Sequence, residues 1–131
     1  MIVVDENVTA PQRDLLTTWK IRFRQIGRDV GRVGMTDQDI VPLLRKIRPA
    51  TLFTKDLGLY RRELRDPRFA IVCLAVNEDE TASFVRRFLA HPRFRTHAMR
   101  LGRLFLVSSE AIRVWAPLAS REGMVGWSSG T

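Results

Sequence analysis

Along the chain, short β-branched runs alternate with stretches of helical apolar spacing, and this alternation predicts an α/β protein. The first run, Ile2–Val4, ends at Asp5 and reads as a buried strand. Thr9-Ala10-Pro11 then opens a helix, because Thr caps unpaired N–H groups and Pro is tolerated in a first turn. Leu15, Leu16, Trp19, Phe23 and Ile26 recur at helical spacing, which carries that helix up to Gly27. A second short strand is expected over residues 29–33, ending at Gly34.

Further on, Thr36 caps a helix whose first turn carries Asp37 and Asp39, with Ile40, Leu43, Leu44 and Ile47 as its buried stripe. Pro49 closes it. Residues 51–54 predict a third strand, cut off at Lys55-Asp56 and followed by a short helix or turn up to Tyr60. Residues 70–76 are the most apolar run and predict a central strand. Asn77 caps a helix with Ala82, Val85, Phe88 and Leu89 on one face, broken at His91-Pro92. Residues 101–107 and 111–115 predict a hairpin at the sheet edge. A domain over 1–117 follows, a three-layer sandwich with a mostly parallel central sheet. Residues 118–131, rich in Gly and Ser, are expected to be a flexible tail with Trp127 exposed.

Composition narrows the class. A content of 45% hydrophobic and 27% charged residues in 131 is that of a globular domain with a sizeable core. No stretch approaches the roughly 18 apolar residues of a membrane span. The opening MIVVDENV has an acid where a signal peptide needs a basic flank, so a cytoplasmic protein is expected. The single Cys73 lies in the apolar run IVCLAV and reads as a buried small hydrophobe rather than a nucleophile.

Charge changes the picture more. Lys and Arg number 22 against 14 acids, a net charge of +8, and 19 of the 22 are Arg. Arg forks phosphate in a bidentate manner, which suits nucleic acid as a partner. Residues 81–109 hold no acid but carry Arg86, Arg87, Arg93, Arg95, Arg100, Arg103 and both histidines, His91 and His97. The segment RRELRDPR at 61–68 is a second basic cluster, with Arg61 and Arg62 at its start. His91 and His97 read as surface residues able to contact phosphate when protonated.

Against this basic body, three acids sit at element ends: Asp5 after the first strand, Asp37 in a first helical turn, and Asp56 after the third strand. In a parallel sheet such ends share one rim, where ligands of open α/β sheets bind. Clustered carboxylates repel, and a divalent cation with hard oxygen ligands, Mg²⁺ or Mn²⁺, relieves that cost. Each acid also has a plain structural reading: Asp5 as a turn residue, Asp37 as a favourable charge at a helix start, Asp56 as a cap. Glu6 is expected to point away from Asp5, and Asn7 to hold the turn. Asp39 is either a ligand or a capping-box partner.

The segments DEN at 5–7, TDQDI at 36–40 and FTKD at 53–56 resemble the PIN-like ribonuclease domain, most closely its small stand-alone members, some of which are toxins encoded beside an antitoxin. The likeness runs in order and spacing over about residues 1–76. It implies a metal-dependent endoribonuclease with Asp5, Asp37 and Asp56 as catalytic metal ligands, and Thr54 orienting a carboxylate. It also admits a cognate antitoxin protein and a homodimer. The family commonly places a further acid two residues after the Thr-x-Asp, where this chain has Gly58; Glu6, Asp39, Glu63 and Asp66 are the nearby substitutes. The gap leaves open a second reading, a non-catalytic RNA- or protein-binding PIN-like module.

Overall fold

The structure, a computed structural model, describes residues 1–127. Seven strands form one sheet in the order β2-β1-β3-β4-β5-β6-β7. They are β1 (Ile2–Val4), β2 (Arg24–Gln25), β3 (Ala50–Thr54), β4 (Phe69–Leu74), β5 (Leu104–Val107), β6 (Ile112–Trp115) and β7 (Gly123–Val125). Strands β1 to β5 pair in parallel, whereas β6 and β7 add antiparallel at one edge. Four helices complete the fold: α1 (Ala10–Thr18), α2 (Asp37–Lys46), α3 (Thr81–Ala90) and α4 (His97–Arg100). The α/β class and the mostly parallel sheet therefore stand as the alternation predicts. No helix among the described residues is long and apolar enough to cross a membrane.

Both faces of the sheet are covered, which is why the central strands read as continuous apolar runs. All six residues of β4 are buried. Because side chains alternate across a strand, Val4, Phe53, Val72 and Phe105 join a core with Leu16 of α1 and Val85 and Phe88 of α3. Val3, Leu52, Ile71, Cys73 and Leu104 join a second core with Leu44 of α2. In the first core the Phe88 ring meets the Phe53, Phe94 and Phe105 rings at centroid distances of 5.8, 5.4 and 4.8 Å. Contacts of this kind add roughly 0.5–1.5 kcal/mol each beyond burial.

Four local expectations are corrected. The first helix ends at Thr18, not near Gly27, and the second strand is Arg24–Gln25 rather than residues 29–33. Trp19 closes α1 and Lys20 takes φ 61°, which turns the chain back towards the sheet. Phe23 and Ile26 still meet the core, but from an extended return, a geometry their spacing also satisfies. Val30 makes only an isolated bridge to Ile26. The segment expected to be a loose tail instead supplies β7, paired to β6 over Gly123–Val125; residues 128–131 lie outside the described ones. Trp127, expected to be exposed, is half-buried: its Nε1 donates to Ser108 O at 2.8 Å and its ring packs 5.7 Å from Phe84.

Candidate functional site

The strand order reverses between β1 and β3. From β1 the chain goes to β2 on one side, then crosses to β3 on the other. The crevice beyond the carboxyl ends at such a reversal is where open α/β sheets receive ligands. Asp5 and Thr54 stand at this point, one residue past and at the end of β1 and β3 respectively.

Register decides which side chains meet. Thr54 pairs with Cys73, and Val4 with Phe53. Asp5, Thr54 and Cys73 therefore lie in one row across the sheet, on the face that α2 covers. Asp5 is buried, at 7% exposure. Its Oδ2 accepts from the Thr54 hydroxyl at 2.8 Å and from Lys55 N at 2.7 Å, and its Oδ1 accepts from Asn7 N at 2.9 Å. The Thr54 oxygen in turn accepts from Asp56 N at 3.0 Å. One hydroxyl thus joins the first acid to the loop carrying the third, and Lys55 is locked in place by an ammonium bond to Val76 O.

Asp56 turns its Oδ1 back onto Gly58 N at 2.9 Å, capping a single 3-10 turn over Leu57–Leu59. Asp37, at the first position of α2, lies beside it. Burial and then the negative charge and hydrogen bonding of Asp56 hold the Asp37 carboxyl above its ordinary value. A guanidinium nitrogen of Arg61 stands 3.9 Å from Asp37 Oδ2 and offsets part of that repulsion. Beneath the pair, the Cys73 thiol is pushed up to about 12, first by burial and then by Asp56 and Asp37. It is thus a buried, inert thiol, as its apolar run implies.

The sequence candidates therefore separate into groups. Asp37 stands close enough to Asp56 for their charges to repel, and Asp5 is joined through Thr54 to the backbone of Asp56. No group of three or more His, Cys, Asp or Glu side chains among the described residues is arranged to hold a metal ion. Glu6 points elsewhere, as expected, and both its oxygens accept from Gly34 N at 3.1 and 3.0 Å, tying the loop after β1 to the loop before α2. Asn7 holds the turn through its backbone and its side chain is exposed. Asp39 is the capping-box partner of Thr36, accepting from Thr36 N at 3.0 Å and pairing with Arg32 at 3.3 Å. Asp66 cannot stand in for a fourth acid: it precedes β4 at the opposite end of the sheet, 6% exposed and bound to Arg45 and Arg68.

The basic candidates also divide. Arg61 faces the acids, but its neighbour Arg62 lies over the Trp115 ring at 5.7 Å. Arg86 and Arg87 stand on α3, beyond the other face of the sheet, over Trp19 at 4.6 Å and over Trp127 at 4.4 Å. Arg93 lies over Phe94 at 6.0 Å, and Arg95 is exposed. Arg100 leaves the stripe altogether: it is 2% exposed and donates to Thr51 Oγ1 and Phe94 O. His91 is likewise buried rather than a surface residue, with Nε2 3.0 Å from Gly126 O. Gln25 is missed by the sequence reading. Its side-chain amide donates to both Asp5 O and Val8 O at 3.0 Å and clamps the loop after Asp5, a role that only the adjacency of β2 and β1 reveals.

No protein-family model matches the chain, and neither a curated protein nor a solved structure does.

Proposed function

We propose that the chain is a PIN-like, metal-dependent endoribonuclease acting at the Asp37–Asp56 pair. The observation that carries this reading is the nearness of the two: carboxylates far apart in sequence stand close enough at the sheet's reversal point for Asp56 to help hold Asp37 above its ordinary value. The donor set suits a hard divalent cation, because carboxylate oxygens are its preferred ligands and its charge removes the repulsion.

Asp37 and Asp56 would hold Mg²⁺ or Mn²⁺. Bound there, the cation would supply the positive charge that polarises a phosphodiester and stabilises the leaving oxygen. Asp5, saturated by three donors within 2.9 Å, acts from behind by fixing Thr54 and the loop that carries Asp56. Arg61, half-exposed beside Asp37, would meet a phosphate of the substrate. An antitoxin covering the same rim would silence the enzyme.

Gly58 favours the second reading, a non-catalytic RNA-binding module of the same fold, because no acid stands where a second cation would need one. The two separate in one experiment. Wild type, Asp5→Asn and Asp56→Asn are compared for Mn²⁺-dependent cleavage of labelled RNA, with Mn²⁺ binding measured by calorimetry. The nuclease reading expects wild-type cleavage that EDTA stops and both variants lose. RNA binding without Mn²⁺ binding or cleavage selects the module, and cleavage by Asp56→Asn at the wild-type rate sinks the carboxylate assignment.

A further inference from the structure

An open groove of about 770 Å³ runs between the C-terminal half of α1 and the turn that follows β2. Ile21 and Phe23 contribute apolar surface to it, and both pack on the first core. Lys20, Arg22 and Arg28 line it and are exposed, and their side chains form no ion pair among the described residues. Two acids share the lining, Asp29, whose Oδ2 accepts from Gln25 N at 2.9 Å, and the exposed Asp14; with Arg13 the lining still sets four cations against them. The outer edge of β2 is closed by the same turn: Gln25 O receives Arg28 N and Asp29 N at 3.1 and 2.9 Å. The groove therefore offers side chains, not an open strand edge, to a partner.

Next to Lys20 in sequence, Trp19 carries the Arg86 guanidinium at 4.6 Å. On the same layer Arg87 lies over Trp127 and Phe84 at 4.4 and 4.7 Å. A guanidinium seated on a ring loses little further freedom on binding and can direct N–H groups to an anion. Helix α1 packs on the sheet face opposite to the one carrying the paired acids.

We infer that this groove holds the phosphodiester backbone of a single-stranded nucleic acid, an anchoring surface separate from the carboxylate rim. Unpaired cations around a concavity repel one another, and a strand of regularly spaced phosphates removes that cost while releasing its own counterions. Arg as the main donor matches phosphate better than it matches the scattered carboxylates of an acidic peptide. The surface does not depend on what the paired acids do.

The test is fluorescence anisotropy with a labelled single-stranded oligouridine, in EDTA so that no cleavage occurs. The triple variant Lys20→Asn/Arg22→Gln/Arg28→Gln is compared with wild type and with Arg113→Gln, an exposed arginine outside the groove; Asn is chosen at 20 because it tolerates the positive φ there. The triple variant is expected to bind at least about tenfold more weakly, and its log K against log salt slope should flatten by about 2, as three lost contacts at about 0.7 each require. Arg113→Gln, which removes one exposed charge at the far side of the sheet, should bind like wild type. Should the triple variant fail to fold by circular dichroism, Arg28→Gln alone is read, with an expected flattening of about 0.7. Wild-type affinity and slope in these variants would overturn the inference, as would a polyglutamate peptide displacing the probe as well as unlabelled RNA does.

Discussion

The Thr54 hydroxyl donates to Asp5 Oδ2 at 2.8 Å, joining the ends of β3 and β1 across the point where the strand order reverses. Its oxygen also receives Asp56 N at 3.0 Å. Thr54→Val keeps the shape and removes both partners, leaving a buried carboxylate oxygen and a half-buried N–H short of one bond each. A loss of about 1–3 kcal/mol in urea unfolding is expected, with Thr54→Ser recovering most of it. An undiminished Thr54→Val midpoint would mean that the hydroxyl does not organise the rim.

Asp37 determines a pH response. Its folded carboxyl titrates above its unfolded value of 3.8, so the folded state holds a proton that the unfolded state has released. Its contribution to stability therefore falls as pH rises from 3.8 through the raised folded value, and stays low above it. Asp37→Asn should flatten that fall and leave the metal-free protein at least as stable as wild type at neutral pH. Under the nuclease reading it should also abolish Mn²⁺-induced stabilisation, which in wild type reaches about 2.7 kcal/mol at a hundredfold excess over Kd. Thermal melts across pH, with and without Mn²⁺, check both.

Gly58 permits the Asp56 cap. A Cβ placed there would come 3.0 Å from Asp56 Oδ1, so the exposed carboxylate has to shift by a few tenths of an ångström to keep its bond from Gly58 N. Gly58→Ala should therefore change stability by no more than about 1 kcal/mol, the disturbed cap being offset by the smaller freedom of the unfolded chain. The same crowding means that Gly58→Asp does not simply add a fourth acid, since it moves the third. Chemical denaturation of both variants, with Mn²⁺ calorimetry on Gly58→Asp, reads out the two effects.

At the other end of the sheet, Asp66 receives Arg68 Nε at 2.8 Å and Arg45 Nε at 2.9 Å. The hydrogen bond from Arg68, opposed by burial, holds its carboxyl far below the usual carboxylate range. Its stabilisation is complete above the unfolded value of 3.8 and is lost as pH falls below it towards the folded value. Both arginines are nearly half exposed, so screening limits the loss in Asp66→Asn to about 1–2 kcal/mol at neutral pH. The gap between the variant and wild type should close in acid unfolding titrations below that value.

Local chemistry was enough to place most elements. Residues 70–76 read as a central strand because no polar residue interrupts them, and Thr36 with Asp39 announces a helix start that needs no distant partner. The first helix was read too long because Trp19, Phe23 and Ile26 satisfy a helical period while packing from an extended return. The turn at Lys20, a non-glycine with positive φ, has no local signal. Strand β7 was missed because Gly123, Met124 and Val125 become a strand only when β6 is beside them.

The candidate site divides in the same way. By its spacing and types alone, the sequence determined that Asp5, Asp37 and Asp56 end or begin elements, and that the surrounding charge is positive, since both are properties of neighbours in the chain. Only the tertiary structure decided which acids touch. The parallel register of β1 with β3 sets Asp5 against Thr54, and the crossover from β2 to β3 brings the start of α2 over that rim, so that Asp37 meets Asp56. The same packing buried Arg100 and His91, which a linear reading of charge could not distinguish from exposed Arg86 and Arg95. Burial and contact depend on residues far apart in the chain, and the sheet order alone brings these together.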